Sequence, residues 1–537
     1  MAAVARYADG SRVASSSLSL TVSNPATYGT IRYVNASTGS DANPGTEALP
    51  WKTLRQASLT VVAGDTVYLR GTFTDGTNDY IGGAGGGTAS GTAAAPIKWT
   101  TWPGQPQATL SSGANIGIVV QLQGVSYHVF DNLHFQRPDQ SEYAFQFTGS
   151  PGSDHNAVRN SLFDAPSGAT SGKAGVRLQY AGTTDCIVEL NTINTFGTPS
   201  QNSGDSIYLA TGASRNRILD NTITKAGHFG ISAGNIQAGE SPIGDLNVIA
   251  GNTIDNPWAA GIGLVQTAQR TIIEYNTMKN CATGAIGPVN SPGCVNLYAV
   301  QNVIRFNTID NALQYAIDLG AFTFNYQQKS KNNEIYHNVI TGVQAGGYAT
   351  IRFNFASGSG VEPAGGDISS NKFYNNIIWL NAGGNRAPGG FLTQFYVLSF
   401  NSANRWPNGS YGNNEVRNNL ILRAATTAGE VLMTRERTGS EGGGFFEQFT
   451  VAQAQSTYAE WSGNIALTPS FLDEAARDFR LQSSSQAIDA GRAVSGYPFN
   501  GLAPDIGRYE TGAAVPQAPS RLRISRLRWL SREVNDR

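Results

Sequence analysis

The stretch Ile-Glu-Tyr-Asn276-Thr-Met278, repeated 31 residues later as Ile-Arg-Phe-Asn307-Thr-Ile309, decides the fold. Related phrases place asparagine at positions 191, 221, 252 and 338, so the six copies are spaced by 30, 31, 24, 31 and 31 residues. Looser copies lie at Asn132, Asn160, Asn376 and Asn419. A period in this range is typical of a repeat array in which each unit buries its apolar face against its neighbours.

Each repeat contains two short apolar segments. The first carries the asparagine phrase and the second an in-out-in triplet, seen as Val176-Arg-Leu178, Ile207-Tyr-Leu209, Phe229-Gly-Ile231, Ile262-Gly-Leu264, Ala285-Ile286-Gly287, Ile317-Asp-Leu319 and Ile351-Arg-Phe353. Gly- and Asn-rich turns separate the segments, and no amphipathic stretch of helical length lies between them. We therefore predict an all-β solenoid, a parallel β-helix of roughly ten or more coils, whose repeated asparagines stack as an internal ladder.

The beginning of the solenoid carries a second signal. Residues Asn35 to Thr46, then Pro50-Trp51-Lys-Thr-Leu54 and Ala63-Gly64-Asp65-Thr66, resemble the opening of secreted single-stranded right-handed parallel β-helix proteins of the pectate-lyase-like superfamily. The resemblance implies a short helix, here Leu54 to Val62, that caps the first coil. Such a cap covers a sheet edge that would otherwise pair with other chains.

The chain divides into three parts by pattern. Residues 1–24 contain alternating strands around Asp9-Gly10 and resemble the end of an immunoglobulin-like module, which suggests a remnant of an upstream module or linker. The β-helix is predicted over 25–515, with long loops at 383–412 and 424–464 and a C-terminal cap at about 465–515. Residues 516–537 form a basic tail.

The composition excludes several classes of protein. Only 14% of residues are charged and the formal net charge is -1, which disfavours a nucleic-acid surface. No apolar run of 18 residues exists to span a membrane. We expect Cys281 and Cys294 to be buried thiols, although they could pair. A secreted or cell-surface monomer is expected, although the chain carries no export signal.

The centres of the in-out-in triplets define one outward column on the solenoid. Its members are Arg177, Tyr208, Gly230, Gly263, Gly287, Asp318 and Arg352, with His228 and Asn354 on the same face. At a strand spacing of about 4.8 Å the column spans roughly 30 Å, so it could form a flat-floored groove for a glycan. The alternative is that the glycines only avoid clashes and that Asp318 and Arg352 form an ordinary surface ion pair.

The segment Asp205-Ser-Ile-Tyr-Leu-Ala-Thr-Gly, followed by Gly227-His228-Phe-Gly, resembles a catalytic coil of polygalacturonases. That family requires a pair of aspartates and a third one coil upstream, because inverting hydrolysis uses separate acid and base carboxyls. Here Gly204 precedes Asp205, and the upstream place falls near Ala174-Gly175. Asp205 and His228 are therefore kept as groove residues without that mechanism.

The segment Lys329-Ser-Lys-Asn-Asn333, followed by Gly347-Tyr348-Ala-Thr-Ile-Arg352, resembles the catalytic coil of the polysaccharide lyase family that contains chondroitinase B and alginate lyases. The resemblance implies Lys329 as the base and Arg352 as the group assisting the leaving oxygen. Tyr348 and Asn354 are further candidate substrate contacts. In that family acidic residues of the preceding coil hold Ca²⁺. Only Asp318 is nearby here, so calcium is an open possibility, and Arg177 or His228 could neutralise the substrate carboxylate instead.

The leading hypothesis is an extracellular lyase that cleaves a uronate-containing polysaccharide by β-elimination, with Lys329, Arg352 and His228 as catalytic residues. Arg177, Tyr208, Asp205 and Asp318 would contact substrate. Three alternatives remain open: a hydrolase using Asp205, Asp318 and Glu240, a C5-epimerase, and a non-catalytic glycan-binding or adhesive solenoid. Convergence of Lys329, Arg352 and His228 on one pocket would favour catalysis over binding.

Overall fold

The computed structural model describes residues 4–6, 12–14, 29–75, 81–82, 87, 89–111, 118–136, 143–148, 152–164, 174–194, 204–234, 244–283, 293–313, 315–320, 329–343, 350–354, 367–380, 386–387, 391–392, 395–399, 413–423, 433–437, 445–495 and 497–512. Within these ranges three long sheets, in which parallel pairing predominates, run the length of one solenoid. The predicted parallel β-helix is confirmed.

The first sheet has 14 strands. They are β3 (Ile31–Asn35), β4 (Thr66–Arg70), β7 (Ile97–Thr101), β10 (His128–Asp131), β13 (Ala157–Arg159), β16 (Ile187–Glu189), β19 (Arg217–Leu219), β23 (Val248–Ala250), β26 (Ile272–Glu274), β29 (Val303–Arg305), β33 (Glu334–Tyr336), β37 (Lys372–Tyr374), β42 (Glu415–Arg417) and β46 (Trp461–Ser462). The second sheet has 12 strands: β5 (Thr72–Phe73), β8 (Thr109–Leu110), β11 (His134–Gln136), β14 (Leu162–Asp164), β17 (Thr192–Asn194), β20 (Thr222–Thr224), β24 (Thr253–Asp255), β27 (Thr277–Lys279), β30 (Thr308–Ala312), β34 (Val339–Val343), β38 (Ile377–Leu380) and β43 (Leu420–Arg423).

The third sheet has 16 strands. They are β6 (Ile81–Gly82), β9 (Ile118–Gln123), β12 (Tyr143–Thr148), β15 (Ala174–Leu178), β18 (Asp205–Leu209), β21 (Ile231–Ala233), β22 (Gly244–Asp245), β25 (Ile262–Gln269), β28 (Gly293–Val300), β31 (Tyr315–Gly320), β32 (Lys329–Lys331), β35 (Ile351–Asn354), β36 (Asp367–Ser369), β41 (Phe395–Ser399), β44 (Met433–Arg437) and β45 (Phe445–Phe449). Three antiparallel pairs lie outside these sheets: β1 (Val4–Arg6) with β2 (Arg12–Ala14), β39 (Arg386–Ala387) with β40 (Phe391–Leu392), and β47 (Phe471–Asp473) with β48 (Asp478–Leu481).

Each coil contributes three strands, not the two that the sequence pattern suggested. The asparagine phrase spans two of them, because the residue before each ladder asparagine adopts a positive φ and ends the first strand. Tyr275 has φ 57° and Phe306 has φ 54°. The chain turns there, so the asparagine side chain points inward from a corner rather than from a strand.

The predicted asparagine ladder is confirmed. Asn252 Nδ2 donates to Asn276 Oδ1 at 3.0 Å, and Asn276 Nδ2 donates to Asn307 Oδ1 at 3.0 Å. Each amide also donates to a carbonyl of the preceding coil, as Asn276 does to Ile249. The ladder continues without a break from Asn191 to Asn464 through positions 221, 252, 276, 307, 338, 376 and 419.

A second ladder at the opposite corner was not anticipated. Asn302 Nδ2 donates to Asn333 Oδ1 at 3.2 Å, and Asn333 Nδ2 donates to Asn371 Oδ1 at 2.9 Å. The same corner is occupied by Asn216 and Asn247, which are also buried. Two buried amide columns therefore hold the coils in register, because every unpaired amide in this apolar core would be costly.

The C-terminal segment lies along the side of the solenoid. Phe471, Phe479 and Ile506 pack against Val339, Ile377 and Leu420 on the outer face of the second sheet. Arg508 Nη1 donates to Thr308 Oγ1 at 2.8 Å. The residue after the ladder asparagine is an exposed threonine at positions 192 and 222, whereas it is apolar and buried at positions 339, 377 and 420. Thr308 is buried as well, under Arg508.

The cysteines and the two predicted long loops differ from what the sequence pattern indicated. Cys281 and Cys294 form a disulfide, so the expectation of two thiols is wrong; their Cα atoms are 5.1 Å apart, within bonding geometry. The stretches predicted as long loops at 383–412 and 424–464 contribute sheet strands β41 and β44.

Two helices accompany the sheets. The N-terminal helix α1 spans Leu54–Thr60, and its N-cap Thr53 hydroxyl accepts from Gln56 N; its role as a cap stays a prediction. Helix α2 spans Val451–Thr457. No helix among the described residues is long and apolar enough to cross a membrane.

Candidate functional site

Strand pairing in the third sheet places five of the seven residues of the predicted column in register with one another. Cα pairing joins, coil by coil, Arg177, Tyr208, Ser232, Gly263, Asn296, Asp318 and Arg352. The column position predicted for Gly230 is held by Ser232. Gly230 faces the core instead, because a Cβ built on it would lie 2.6 Å from the side chain of Ile254. Asn296 replaces Gly287, because the strand of that coil contains Val295-Asn296-Leu297; Gly287 lies outside the described residues.

The column does not form a bare glycine floor. Gly263 is buried, and the ring of Phe229 lies over it, since a Cβ added at Gly263 would meet that ring at 3.4 Å. Ser232 and Asn296 are also buried. The predicted flat floor is therefore wrong, and the outer face instead holds two clusters of polar side chains, one at each end of the column.

The first cluster, which we call the upstream cluster, is built around Asp205. One carboxylate oxygen accepts from His228 Nδ1 at 2.9 Å and from Phe229 N at 3.1 Å, while the other accepts from the hydroxyl of Ser232. Both Ser206 and Ile207 are buried, which breaks the alternation of β18 and lets Asp205 and Tyr208 reach the outer face. The side chains of His228 and Asp205 are 21% and 13% exposed, so solvent reaches both.

The carboxylate fixes the tautomer of His228. Because Asp205 accepts a hydrogen bond from Nδ1, the proton of the neutral ring resides on Nδ1, and Nε2 carries the lone pair. The ring also packs on Phe229, with centroids 3.8 Å apart. An imidazole oriented in this way by a carboxylate is suited to act as a general base.

Arg177 lies one strand from Tyr208 in the upstream cluster. Its guanidinium lies between two tyrosine rings, 4.6 Å from the centroid of Tyr143 and 5.5 Å from that of Tyr208, and Nη1 donates to the Tyr143 hydroxyl. The residue is half-buried. No carboxylate within the described ranges pairs with it.

The second cluster, which we call the downstream cluster, is a buried ion pair. Arg352 donates from Nε to Asp318 Oδ1 and from Nη2 to Oδ2, each at 2.7 Å, and neither side chain is exposed. The guanidinium stacks on Tyr315 at 4.1 Å, and the Tyr298 hydroxyl donates to Asp318. The ordinary surface ion pair considered from sequence is thus buried instead.

Charge and burial act together on the downstream cluster. Burial opposes the charge of Arg352, but the Asp318 carboxylate outweighs it and raises the pKa of the guanidinium. Burial and the same carboxylate raise the pKa of the Tyr298 hydroxyl well above its usual value, so Tyr298 remains protonated and donating. Arg352 donates two hydrogen bonds to Asp318 in this arrangement, and its role in assisting a leaving oxygen stays a prediction.

Several residues of the segment that resembles the lyase coil make hydrogen bonds inside the core. Asn333 belongs to the second ladder and Asn338 to the first, while the buried Ser330 hydroxyl bonds the carbonyls of Leu297 and Gly320. Lys329 begins β32, where its backbone pairs with Asp367. The side chains of Lys329 and Asn354, and all of Tyr348 and Glu240, lie outside the described residues.

Two of the predicted catalytic residues, His228 and Arg352, lie at different places along the third sheet. His228 lies just before β21, and Arg352 belongs to β35, which is four strand spacings beyond β21 in the sheet. At about 4.8 Å per spacing, the two are roughly 19 Å apart along the axis. His228 therefore groups with Asp205, Tyr208 and Arg177, and not with Arg352.

The residues present do not fit a calcium site at Asp318. Both carboxylate oxygens are occupied, by the Arg352 guanidinium and the Tyr298 hydroxyl, and the positive neighbour would repel a cation. Ca²⁺ needs six to eight oxygen ligands. No group of three His, Cys, Asp or Glu side chains among the described residues is arranged to hold a metal ion.

No family model and no curated protein matches this sequence. Solved structures with a similar fold include a point mutant of the PL6 family alginate lyase AlyGC, with 14% identity, a TM-score of 0.47 and coverage of 83% of this chain and 58% of that chain. The PL6 family polysaccharide lyase Pedsa3628 from Pseudopedobacter saltans has 12% identity, a TM-score of 0.46 and coverage of 70% and 91%. Pectate lyase Pel9A has 16% identity, a TM-score of 0.41 and coverage of 90% and 97%. The likeness concerns the β-helix fold.

Proposed function

We propose that the chain is a carbohydrate-active enzyme that cleaves a uronate-containing polysaccharide by β-elimination on the outer face of the third sheet. The observation that carries the proposal is the upstream cluster, in which Asp205 holds His228 with Nε2 as the basic nitrogen at a partly exposed position. A secreted, monomeric state stays a prediction.

The proposed step uses His228 as the general base. Nε2 removes the proton on the carbon beside the uronate carboxylate, and the electron pair forms the double bond as the glycosidic oxygen on the next carbon leaves. The imidazolium that forms is stabilised by the Asp205 carboxylate 2.9 Å from Nδ1. The Tyr208 hydroxyl, on the same strand and outer face as Asp205, is the candidate for protonating the leaving oxygen.

Hydrolysis is less well supported by the described carboxylates. Asp205 and Asp318 lie on β18 and β31, four spacings or roughly 19 Å apart, whereas paired glycosidase carboxyls are about 5 to 9.5 Å apart. Each also accepts hydrogen bonds on both of its carboxyl oxygens. Neither is arranged as a general acid beside the other.

Lys329 remains a second candidate base on the strength of its sequence context. Its backbone position in β32, next to the downstream cluster, is compatible with a separate reaction centre. The buried pairing of Arg352 with Asp318 removes the cation that would have lowered the pKa of a neighbouring lysine, because the pair is close to neutral. We therefore assign the base to His228.

A binding-only solenoid is the second candidate function. The observation in its favour is that His228 and Arg352, two of the three residues predicted from sequence to be catalytic, are roughly 19 Å apart along the axis. Such a protein would bind the glycan along the column and release it unchanged.

The test is a panel of alginate, pectate, glucuronan and glycosaminoglycans with product analysis by mass and ultraviolet absorbance. Unsaturated ends on the products of one acidic polymer support elimination. Saturated products assign hydrolysis, and an inverted C5 centre without cleavage assigns epimerisation. Binding without any product assigns the adhesive function.

A further inference from the structure

Arg177 differs from the arginines that are held by aspartates in this protein. Arg215, Arg270 and Arg352 each present the Nε–Nη2 edge to a carboxylate, and each is paired through both nitrogens. Arg177 instead uses Nη1 for the Tyr143 hydroxyl. Within the described ranges, neither Nε nor Nη2 of Arg177 has a hydrogen-bond partner.

The unpartnered edge is partly desolvated. Arg177 Nε is buried without a partner among the described residues. Among the other described arginines with a buried Nε that makes no hydrogen bond, Arg217 and Arg508 also form no ion pair with a described carboxylate, whereas Arg32, Arg159 and Arg417 each have a carboxylate within 4.0 Å. A buried donor without an acceptor is costly, and the cost is larger for a charged group. Arg177 therefore lacks the neighbouring carboxylate that Arg32, Arg159 and Arg417 have.

The adjacent coil adds a second unpartnered group. Gln146 is the Cα partner of Arg177 and is only 5% exposed. Its Nε2 donates to Gln179 Oε1 at 2.9 Å, whereas its own Oε1 accepts from no described residue. A buried acceptor thus lies one strand from a buried cationic donor, in the same outward column.

The tyrosine rings prepare the guanidinium for a planar ligand. Tyr143 and Tyr208 hold the plane of Arg177 by cation–π contact, which reduces the side-chain entropy lost when a ligand binds. A carboxylate matches the Nε–Nη2 edge of a guanidinium with two parallel hydrogen bonds. Arg177 Nε and Gln146 Oε1 are both closed to solvent, so the two side chains must rotate outward for a uronate carboxylate to reach that edge and for a hydroxyl of the same sugar to donate to Gln146.

We propose that Arg177 and Gln146, flanked by Tyr143 and Tyr208, form a subsite for a uronate residue, in which Arg177 binds the carboxylate and Gln146 a hydroxyl. The assignment rests on the proposed function for its place beside His228, but the binding it describes does not require cleavage. It supplies the neutralisation of the substrate carboxylate that β-elimination needs. It also makes acidic sugars the preferred substrate class.

Binding is measured on the His228→Ala protein, so that cleavage does not interfere, with alginate, polygalacturonate and glucuronan as probes. Each polymer is compared with its carboxyl-reduced form, which keeps the backbone and loses the charge. We expect at least one acidic polymer to bind and its reduced form to bind roughly tenfold more weakly or worse. Equal affinity for the two forms, or no binding of any acidic polymer, overturns the subsite.

Variants locate the effect. Arg177→Ala should abolish the preference for the acidic form, and Arg177→Lys should restore only part of it, because lysine lacks the planar fork. Gln146→Leu should weaken the binding of both the acidic polymer and its carboxyl-reduced form. Arg215→Ala, which removes an arginine already paired with Asp185, is the matched control and should change neither. An unchanged preference in Arg177→Ala, with the fold intact by thermal unfolding, contradicts the proposal. Lyase activity that survives in His228→Ala refutes the proposed function and leaves the subsite standing.

Discussion

Asp318 and Arg352, on adjacent strands of the third sheet, form a bidentate ion pair that is closed to solvent, with both nitrogen–oxygen distances at 2.7 Å. Their columnar neighbours Arg177 and Tyr208 occupy the same outward positions six and five coils upstream of Arg352 and remain partly exposed. The column on this sheet is therefore closed to solvent at Asp318 and Arg352 and accessible at Arg177 and Tyr208.

The first prediction concerns the downstream cluster. Arg352→Ala leaves Asp318 buried and uncompensated, so the free energy of unfolding should fall by about 3 to 5 kcal/mol. Asp318→Leu combined with Arg352→Met should recover most of this loss, because an apolar pair removes both desolvation penalties. Urea unfolding measures both changes. A stable Arg352→Ala protein without activity would instead make Arg352 catalytic.

The second prediction concerns the first asparagine ladder. Asn276→Ala removes hydrogen bonds to Asn307 Oδ1 and to the Ile249 carbonyl, and strands the backbone N–H of Asn252. We expect a loss of about 2 to 4 kcal/mol in unfolding free energy, since several buried groups lose partners at once. Asn194→Ala, at a half-exposed position bonded to Thr224, is the control and should cost under about 1 kcal/mol. Equal losses in the two variants would contradict a ladder that stabilises the core.

The third prediction concerns pH and the C-terminal segment. His337 is buried, donates from Nδ1 to the Gly507 carbonyl at 2.9 Å and accepts at Nε2 from Asn375 at 3.1 Å. Burial lowers its pKa to about 4 from an ordinary value of 6.5. Because the unfolded chain binds the proton more readily, the stability from the neutral ring is complete above pH 6.5 and is lost as the pH falls toward 4.

The loss should amount to about 3 kcal/mol for this one group. In His337→Gln the urea midpoint should depend less on pH between about 7 and 4 than in the wild type. His128, whose pKa burial also lowers to about 4, leaves part of the slope in place. An unchanged slope in His337→Gln would show that the ring is not neutral in the fold.

The fourth prediction concerns the disulfide. Denatured protein should present one thiol to a labelling reagent before reduction, from Cys186, and three afterwards. Replacing Cys281 and Cys294 together by alanine opens a link across 13 residues and should lower stability by about 2 to 4 kcal/mol. Three thiols before reduction would contradict the pairing.

The period of the asparagine phrase was enough to predict the solenoid and the internal ladder, because one buried amide per coil leaves a regular mark. The second ladder is also visible in the sequence, because Asn216, Asn247 and Asn302 each lie five residues before an asparagine of the first ladder. A search for paired asparagines at that spacing would have found both corners of each coil.

The site was harder to place because the turns between the second and third sheets vary in length. Ile262 follows Ile254 by eight residues, whereas Val295 follows Met278 by 17, so counting from the asparagine does not locate Asn296. In the coil of His228 both Phe229-Gly-Ile231 and Ile231-Ser-Ala233 fit an in-out-in triplet, and only strand pairing chooses the second. Burial of Arg352 has no signature in its own sequence neighbourhood.

The most direct measurement of the central claim compares initial rates of ultraviolet absorbance increase, on whichever acidic polysaccharide the wild type cleaves, for His228→Ala and Lys329→Ala. Loss of general-base catalysis should slow His228→Ala by about 10² to 10⁴-fold, while Lys329→Ala should retain most of the wild-type rate, both with unchanged thermal unfolding. The reverse pattern, an active His228→Ala and an inactive Lys329→Ala, would move the reaction to the downstream end of the column and contradict the account.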